Sequence, residues 1–177
     1  MHLAQLNIGK PLGPMDGPVM RDFKAGLDRV NGIAERSEGF IWRLKDDSNN
    51  ATSLRAFDDP DLLINLSVWR DAESLERFVW QTVHKRFYAR KGEWFEKHAG
   101  PHFALWPVEE GHRPTLLEAR QRLEDLEANG ASERVFGWEC IRVVLYQPSM
   151  YANTLCIAAA RVAKSWPWVS STFIECQ

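Results

Sequence analysis

Five histidines, His2, His84, His98, His102 and His112, are the residues best able to exchange protons at neutral pH. None sits in a metal-binding pattern. His98 and His102 are four apart, but Gly100-Pro101 lies between them and removes the helical face such a pair would share. HExxH, CxxC and 2-His-1-carboxylate spacings are all missing, so no metal site is expected. His84 opens a helical stretch beside Trp80 and Phe87. It reads either as a helix-start histidine bonded to backbone or as a general base at a pocket mouth. His102 is the other candidate base. Arg113, in His112-Arg113-Pro114 ahead of a helix, either fixes a turn or clamps a carboxylate or enolate. There is no G-x-S-x-G elbow, no G-x-G-x-x-G and no P-loop, so neither a serine nucleophile nor a nucleotide cofactor is indicated.

The groups that could orient a ligand lie on predicted strands. In LLINLSVWRD (62–71), one face carries Leu62, Ile64, Leu66 and Val68, and the other carries Leu63, Asn65, Ser67 and Trp69. An amide, a hydroxyl and an indole on one side of a central strand suit a pocket wall. In HFALWPV (102–108), Phe103 and Leu105 form the more aliphatic face. The reading therefore places His102 and Trp106 with Gln5, Asn7, Arg43, Asn65, Ser67 and Trp69, on a face turned away from the helices.

The elements that position these residues follow from periodicity and punctuation. Residues 2–8 alternate as a strand, and 19–36 carry a helical stripe after Pro18. FIWRLK (40–45) is a second strand, with 52–57 as a candidate extension of its hairpin, and 62–70 is a third. Asp71 caps a helix that breaks near Gln81-Thr82 and then continues to Gly100-Pro101. A fourth strand spans 102–108, a further helix spans about 114–128, and 135–138 could form a short last strand. The order strand, helix, strand, strand, helix pair, strand is the α+β ferredoxin-like βαββαβ plan with an extra C-terminal helix. Such a sheet carries its helices on one face. The other face is then expected to meet a second copy of the sheet, giving a dimeric α/β-barrel with a mixed interior.

Composition sets the outer limits. At 177 residues the chain suits one domain with a proper core. A net charge of −2 gives no footprint for nucleic acid or an anionic membrane. No apolar run is long enough to span a bilayer, and the first residues lack the look of a signal peptide, so a cytosolic place is the expectation. All three cysteines, Cys140, Cys156 and Cys176, fall at the end of the chain. There the charge balance also turns positive, with Arg142, Arg161 and Lys164 against Glu175 alone. The division expected is a barrel domain at 1–139 and a divergent extension at 140–177, in which 141–146 is a candidate strand. An odd cysteine count argues against a disulfide framework, and the cysteines read as small apolar residues.

LAQLNIG, FIWRL, the block SLRAFDDPDLLINLSVW, the stretch HKRFYARKGEWFEK and PHFALWPVEEGHRPTLLEARQRLE run in an order that resembles the domain of unknown function 3291 family, over about residues 2–138. That family is itself placed, by resemblance, among dimeric α/β-barrel proteins such as antibiotic-biosynthesis monooxygenases, stress-responsive barrel proteins and polyketide cyclases. The resemblance implies a homodimer and a pocket either between helices and sheet or on the inner sheet face. It hands over no catalytic set.

The expected function is a small cofactor-free enzyme of secondary or catabolic metabolism, an oxygenase, isomerase or cyclase acting on an aromatic or polyketide-like molecule. His84 or His102 would be the base. Gln5, Asn7, Arg43, Asn65, Ser67, Trp69, Trp106 and Arg113 would bind the substrate. The alternative is a non-catalytic stress-response barrel holding a small ligand, or haem through a histidine.

Overall fold

The structure is a computed structural model that describes residues 1–141. Its elements run β1 (His2–Gly9), α1 (Arg21–Arg36), β2 (Phe40–Arg43), β3 (Leu63–Trp69), α2 (Ala72–Gln81), α3 (His84–Ala89), α4 (Lys91–Trp94), β4 (Phe103–Val108) and α5 (Leu116–Asn129), followed by a 3-10 turn at Trp138–Cys140. The four strands form one antiparallel sheet in the order β2-β3-β1-β4, the ferredoxin-like arrangement expected from the sequence. Phe136 adds an isolated bridge to Leu105 on the outer edge of β4, where a short last strand was expected. Residues 52–57 run as a turn followed by irregular chain and do not extend the β2 hairpin.

Local chemistry explains the boundaries. The Asp71 carboxylate accepts from Ser74 N at 2.7 Å and starts α2 as a side-chain cap. Thr82 ends that helix, its hydroxyl donating to Phe78 O at 2.6 Å. At Gly39, between α1 and β2, φ is +80°, and a Cβ would lie 2.1 Å from Ser74 Oγ, so glycine is the residue that fits. Gly26 lets α1 and α3 touch, since a Cβ there would sit 1.9 Å from the Phe87 ring. The helical stretch after His84 is shorter than expected. It ends at Trp94, and Phe95 turns extended to bridge Pro11.

The two faces of the sheet correct the sequence reading. Leu3 and Trp69 pack under α1 and α2, against Ala34, Leu75, Phe78 and Val79. The opposite face, with Ala4, Leu6, Ile8, Ile64, Leu66, Val68, Ala104 and Trp106, packs against Ala119, Leu123 and Leu126 of α5. The sheet is thus covered by helices on both sides: this chain's own last helix covers the face opposite α1 and α2, and the polar face expected to meet a twin subunit lies beneath α1 and α2. Burying the two leucines of α5 contributes roughly 1.5–3 kcal/mol each. Asn65, Ser67 and Trp69 consequently lie on the α1/α2 side, beneath helices and not turned away from them.

Register also separates residues expected to stand together. Gln5 is opposite Leu105 and Asn7 is opposite Phe103, so Phe103 and Leu105 share the polar face while Ala104 and Trp106 lie on the other. In β2 a bulge at Ile41 puts both Phe40 and Arg43 on the Trp69/Ser67 face, which simple alternation had divided. Cys140 is buried, and Cys156 and Cys176 lie outside the described residues. The division at residue 139 falls just before the end of the described residues, and from residue 142 on the expected extension and its strand lie outside them.

Candidate functional site

The face beneath α1 and α2 is layered along the strands. At one end Trp69 and Leu3 sit in the apolar cluster roofed by the C-terminal half of α1 and by α2. At the other end Leu63 packs with Met20 and Trp94, ringed by Phe23, Phe87 and Phe95. Between these clusters are two polar rows, Arg43–Ser67–Gln5 and Asn65–Asn7. The sequence pattern generates this directly, because every second residue of β1 and β3 points here and the central pairs on both strands are polar.

The inner row is tightly connected. Trp69 Nε1 donates to Ser67 Oγ at 3.0 Å, and Ser67 Oγ donates to Gln5 Oε1 at 2.9 Å. Trp69, Ser67 and Gln5 are only 1%, 6% and 6% exposed. An indole N–H can only donate, so the hydroxyl accepts there and its single proton goes to the Gln5 carbonyl oxygen. That polarity leaves Gln5 Nε2 without a hydrogen-bond partner among the described residues, although it is not sealed from solvent. A free amide donor therefore ends the chain. Arg43, in the same row, is engaged through two of its three nitrogens: Nε donates to Glu35 Oε1 of α1 at 2.9 Å, and Nη2 donates to Asn49 O at 2.7 Å and to Asn49 Oδ1 at 3.0 Å.

The outer row is open. β3 is an interior strand, yet Asn65 is exposed and Asn7 opposite it is half-buried. Solvent therefore reaches the middle of a face that is closed at both ends. Together Gln5, Asn7 and Asn65 line a water-accessible gap with neutral donors and acceptors, flanked by apolar walls.

His84 lies at the edge of the α2 wall. Its backbone N–H donates to Thr82 Oγ1 at 3.2 Å, and its ring packs on Phe78 at 5.0 Å between centroids. Phe78 in turn stacks on Trp69 at 5.1 Å and 25°. Burial pushes the His84 imidazole below its ordinary value, and the backbone of Val79 offsets this in part. Nδ1 is buried without a geometrically sound hydrogen bond. A neutral ring held by aromatic packing is thus linked through Phe78 to the head of the Trp69–Ser67–Gln5 chain.

The remaining candidates are dispersed. His102 is exposed just before β4, its ring 6.1 Å from that of His98, with its value lowered by burial, by Lys91 and by His98. Trp106 is wholly buried on the α5 side, where Nε1 donates to Glu118 Oε1 at 2.9 Å. Arg113 is exposed in the turn before α5, remote from the polar rows in the fold. The structure thus brings together Gln5, Asn7, Arg43, Asn65, Ser67 and Trp69, with His84 at their border, and separates Trp106 and Arg113 from them. Phe78 was not singled out from the sequence, although it sits on the apolar stripe of α2. Among the described residues no group of three or more His, Cys, Asp or Glu is placed to hold a metal ion. None of their helices is long and apolar enough to cross a membrane.

The family model for the domain of unknown function (DUF3291) matches residues 2–147. No curated protein matches the chain. Among solved structures the chain is similar to Rv0793 from Mycobacterium tuberculosis, at 16% identity over 63% of this chain and 100% of that one, with a TM-score of 0.46. It is also similar to SnoaB, a cofactor-independent oxygenase from Streptomyces nogalater, at 14% identity over 62% and 94% of the two chains and a TM-score of 0.41. For PA3566 from Pseudomonas aeruginosa the figures are 15%, 62%, 93% and 0.40. Likenesses this distant say nothing about this chain's chemistry. The family match, which spans most of the sequence, is of another order: the chain belongs to the DUF3291 family.

Proposed function

We propose that the gap between α1, α2 and the sheet binds a flat, partly oxygenated small molecule, and that the protein acts on it as a cofactor-free enzyme of the oxygenase, isomerase or cyclase kind. The observation that carries this reading is the exposure of Asn65 on an interior strand of a helix-covered face, beside an amide donor at Gln5 that no described residue uses. Apolar walls at both ends suit an aromatic body, and the neutral amides between them suit its carbonyl or phenol oxygens. His84 would take up the substrate proton on its imidazole, for which a neutral resting state is required. The amide donors of Gln5, Asn7 and Asn65 would hold the enolate or phenolate so formed. The polar belt of Gln5, Asn7 and Asn65, the helical roof and the base all come from one chain, so this chemistry does not depend on the homodimer expected from the sequence.

Isothermal titration with 2,3-dihydroxynaphthalene tests the binding half. One saturable site is expected, weakened roughly tenfold by Asn65→Leu, the effect of losing about 1.4 kcal/mol. Binding that is indifferent to this change would overturn the reading. Oxygen uptake or product formation on a substrate found this way should collapse in His84→Ala. Full turnover in that variant would remove His84 as the base, and a Soret band on the purified protein would favour the haem-binding alternative.

A further inference from the structure

A cleft of about 370 Å³ lies between α1 and the segment joining β2 to β3. Its apolar part is made by Met15 and Leu27, and its charged lining by Asp16, Lys24, Asp28 and Arg55. Lys24 and Asp16 form an ion pair with each other. Asp28 and Arg55 have no ion-pair partner among the described residues. The Arg55 guanidinium is nevertheless fixed, since Nη1 donates to Thr52 O at 2.8 Å and to Leu54 O at 2.9 Å, which leaves its other nitrogens available. One cleft therefore presents an uncompensated anion and an uncompensated, oriented cation that do not pair with each other.

The position of the cleft matters as much as its charges. On α1, Phe23 packs into the cluster around Leu63, whereas Val30, Ile33 and Ala34 pack into the cluster around Trp69. Residues 24–28 fall between, and so stand at the level of the polar rows, where the sheet is open at Asn65. A ligand bearing one charge would find its opposite and its like in the same cleft. A ligand bearing both would satisfy each.

We infer that this cleft receives a zwitterionic head group, ammonium toward Asp28 and carboxylate toward Arg55, and that the ligand whose flat body enters the belt is an aromatic α-amino acid or a close derivative. The inference rests on the belt reading above and adds the substrate class. A volume of about 370 Å³ lies within the range of small-molecule sites, and an Arg–carboxylate contact adds directional hydrogen bonds to charge.

Titration calorimetry on the full chain separates the parts, using catechol, dopamine, 3-(3,4-dihydroxyphenyl)propionate and L-3,4-dihydroxyphenylalanine. Catechol is expected to bind through the belt alone. Each head-group charge should tighten binding by roughly threefold, as befits exposed charge contacts, so the amino acid should bind about tenfold more tightly than catechol. Arg55→Gln should abolish the advantage of the two carboxylates, Asp28→Asn that of the two amines, and neither should change catechol. The inference is overturned if the amino acid binds no better than catechol, or if its advantage survives both substitutions. If instead catechol binding ignores Asn65→Leu, the belt reading fails, and with it the union of belt and cleft in one site.

Discussion

Ser67 is the joint of the buried polar chain, and Ser67→Ala tests whether that chain is as tightly made as its distances imply. The hydroxyl accepts from Trp69 Nε1 at 3.0 Å and donates to Gln5 Oε1 at 2.9 Å. Its loss affects the two neighbours unequally. Gln5 borders the water-accessible gap, so its amide can turn toward solvent and recover a partner. Trp69 is 1% exposed beneath Phe78 and Phe40, so its N–H cannot. A buried donor left without an acceptor costs about 1–3 kcal/mol. At 2 kcal/mol, a domain of this size should lose about 4–8 °C in melting midpoint. Thermal and urea unfolding followed by far-UV circular dichroism measure the midpoint and the free energy. Trp69→Phe supplies the control, because a phenyl ring has no N–H to orphan. In that background the added cost of Ser67→Ala should fall by about 1 kcal/mol or more. Strict additivity of the two changes, or a single-variant loss below about 0.5 kcal/mol, would refute the reasoning.

Two further outcomes follow from the same geometry. Burial, offset in part by the Val79 backbone, holds His84 below the ordinary histidine value of 6.5. As pH falls through that value the unfolded chain binds a proton that the folded chain does not, so stability should drop until the lowered folded-state value is reached. His102, lowered by burial, Lys91 and His98, acts in the same direction. Urea midpoints at pH 7 and pH 5 should show the loss, and His84→Gln should shrink it; an undiminished loss would place its source elsewhere. Trp106→Phe removes the hydrogen bond to Glu118 on the α5 side, and should lower stability while leaving ligand affinity unchanged. A loss of affinity as large as that of Asn65→Leu would contradict the assignment of faces.

The elements were legible because their ends carry local chemistry. Asp71, Thr82 and Gly39 act through backbone rules that do not depend on the rest of the fold, whereas the Gly-Pro pair at 100–101 lies beyond the actual helix end at Trp94. Face assignment was not legible, because it depends on what returns to cover the sheet. Both faces of β1, β3 and β4 are apolar enough to be buried: Leu3, Leu63 and Trp69 on one, Leu6, Ile8 and Leu66 on the other. One signal was present and went unused. The stripe of Leu116, Ala119, Leu123 and Leu126 on the last helix needs an apolar partner, and with α1 and α2 on one side the remaining surface is the second face of the sheet. In β4 the parity was undecidable from composition, since Phe103 and Leu105 alternate with Ala104 and Trp106. The bulge at Ile41 leaves no sequence mark at all.

The polar rows acquire their meaning from the correction of faces. On a surface turned to solvent or to a twin subunit, Gln5, Asn7, Asn65 and Ser67 would be ordinary, because water or a partner's polar groups would satisfy them. Under a roof of helices the buried pair Gln5 and Ser67 is costly. Replacing a buried hydrogen-bonded pair by apolar groups of the same shape can be neutral or even stabilising, so stability alone gives no reason to keep Gln5 and Ser67 where Leu3 and Trp69 already provide a core. Nor does specificity of register supply one, since the apolar pattern on the α5 face already fixes the pairing of β1 with β3 and β4. What the rows provide, and an apolar filling would not, is a neutral, oriented donor at Gln5 beside an open asparagine, held in place by the Trp69–Ser67 end of the chain. A sheet that gives up packing at its centre while closing both ends is what the proposed binding site would require.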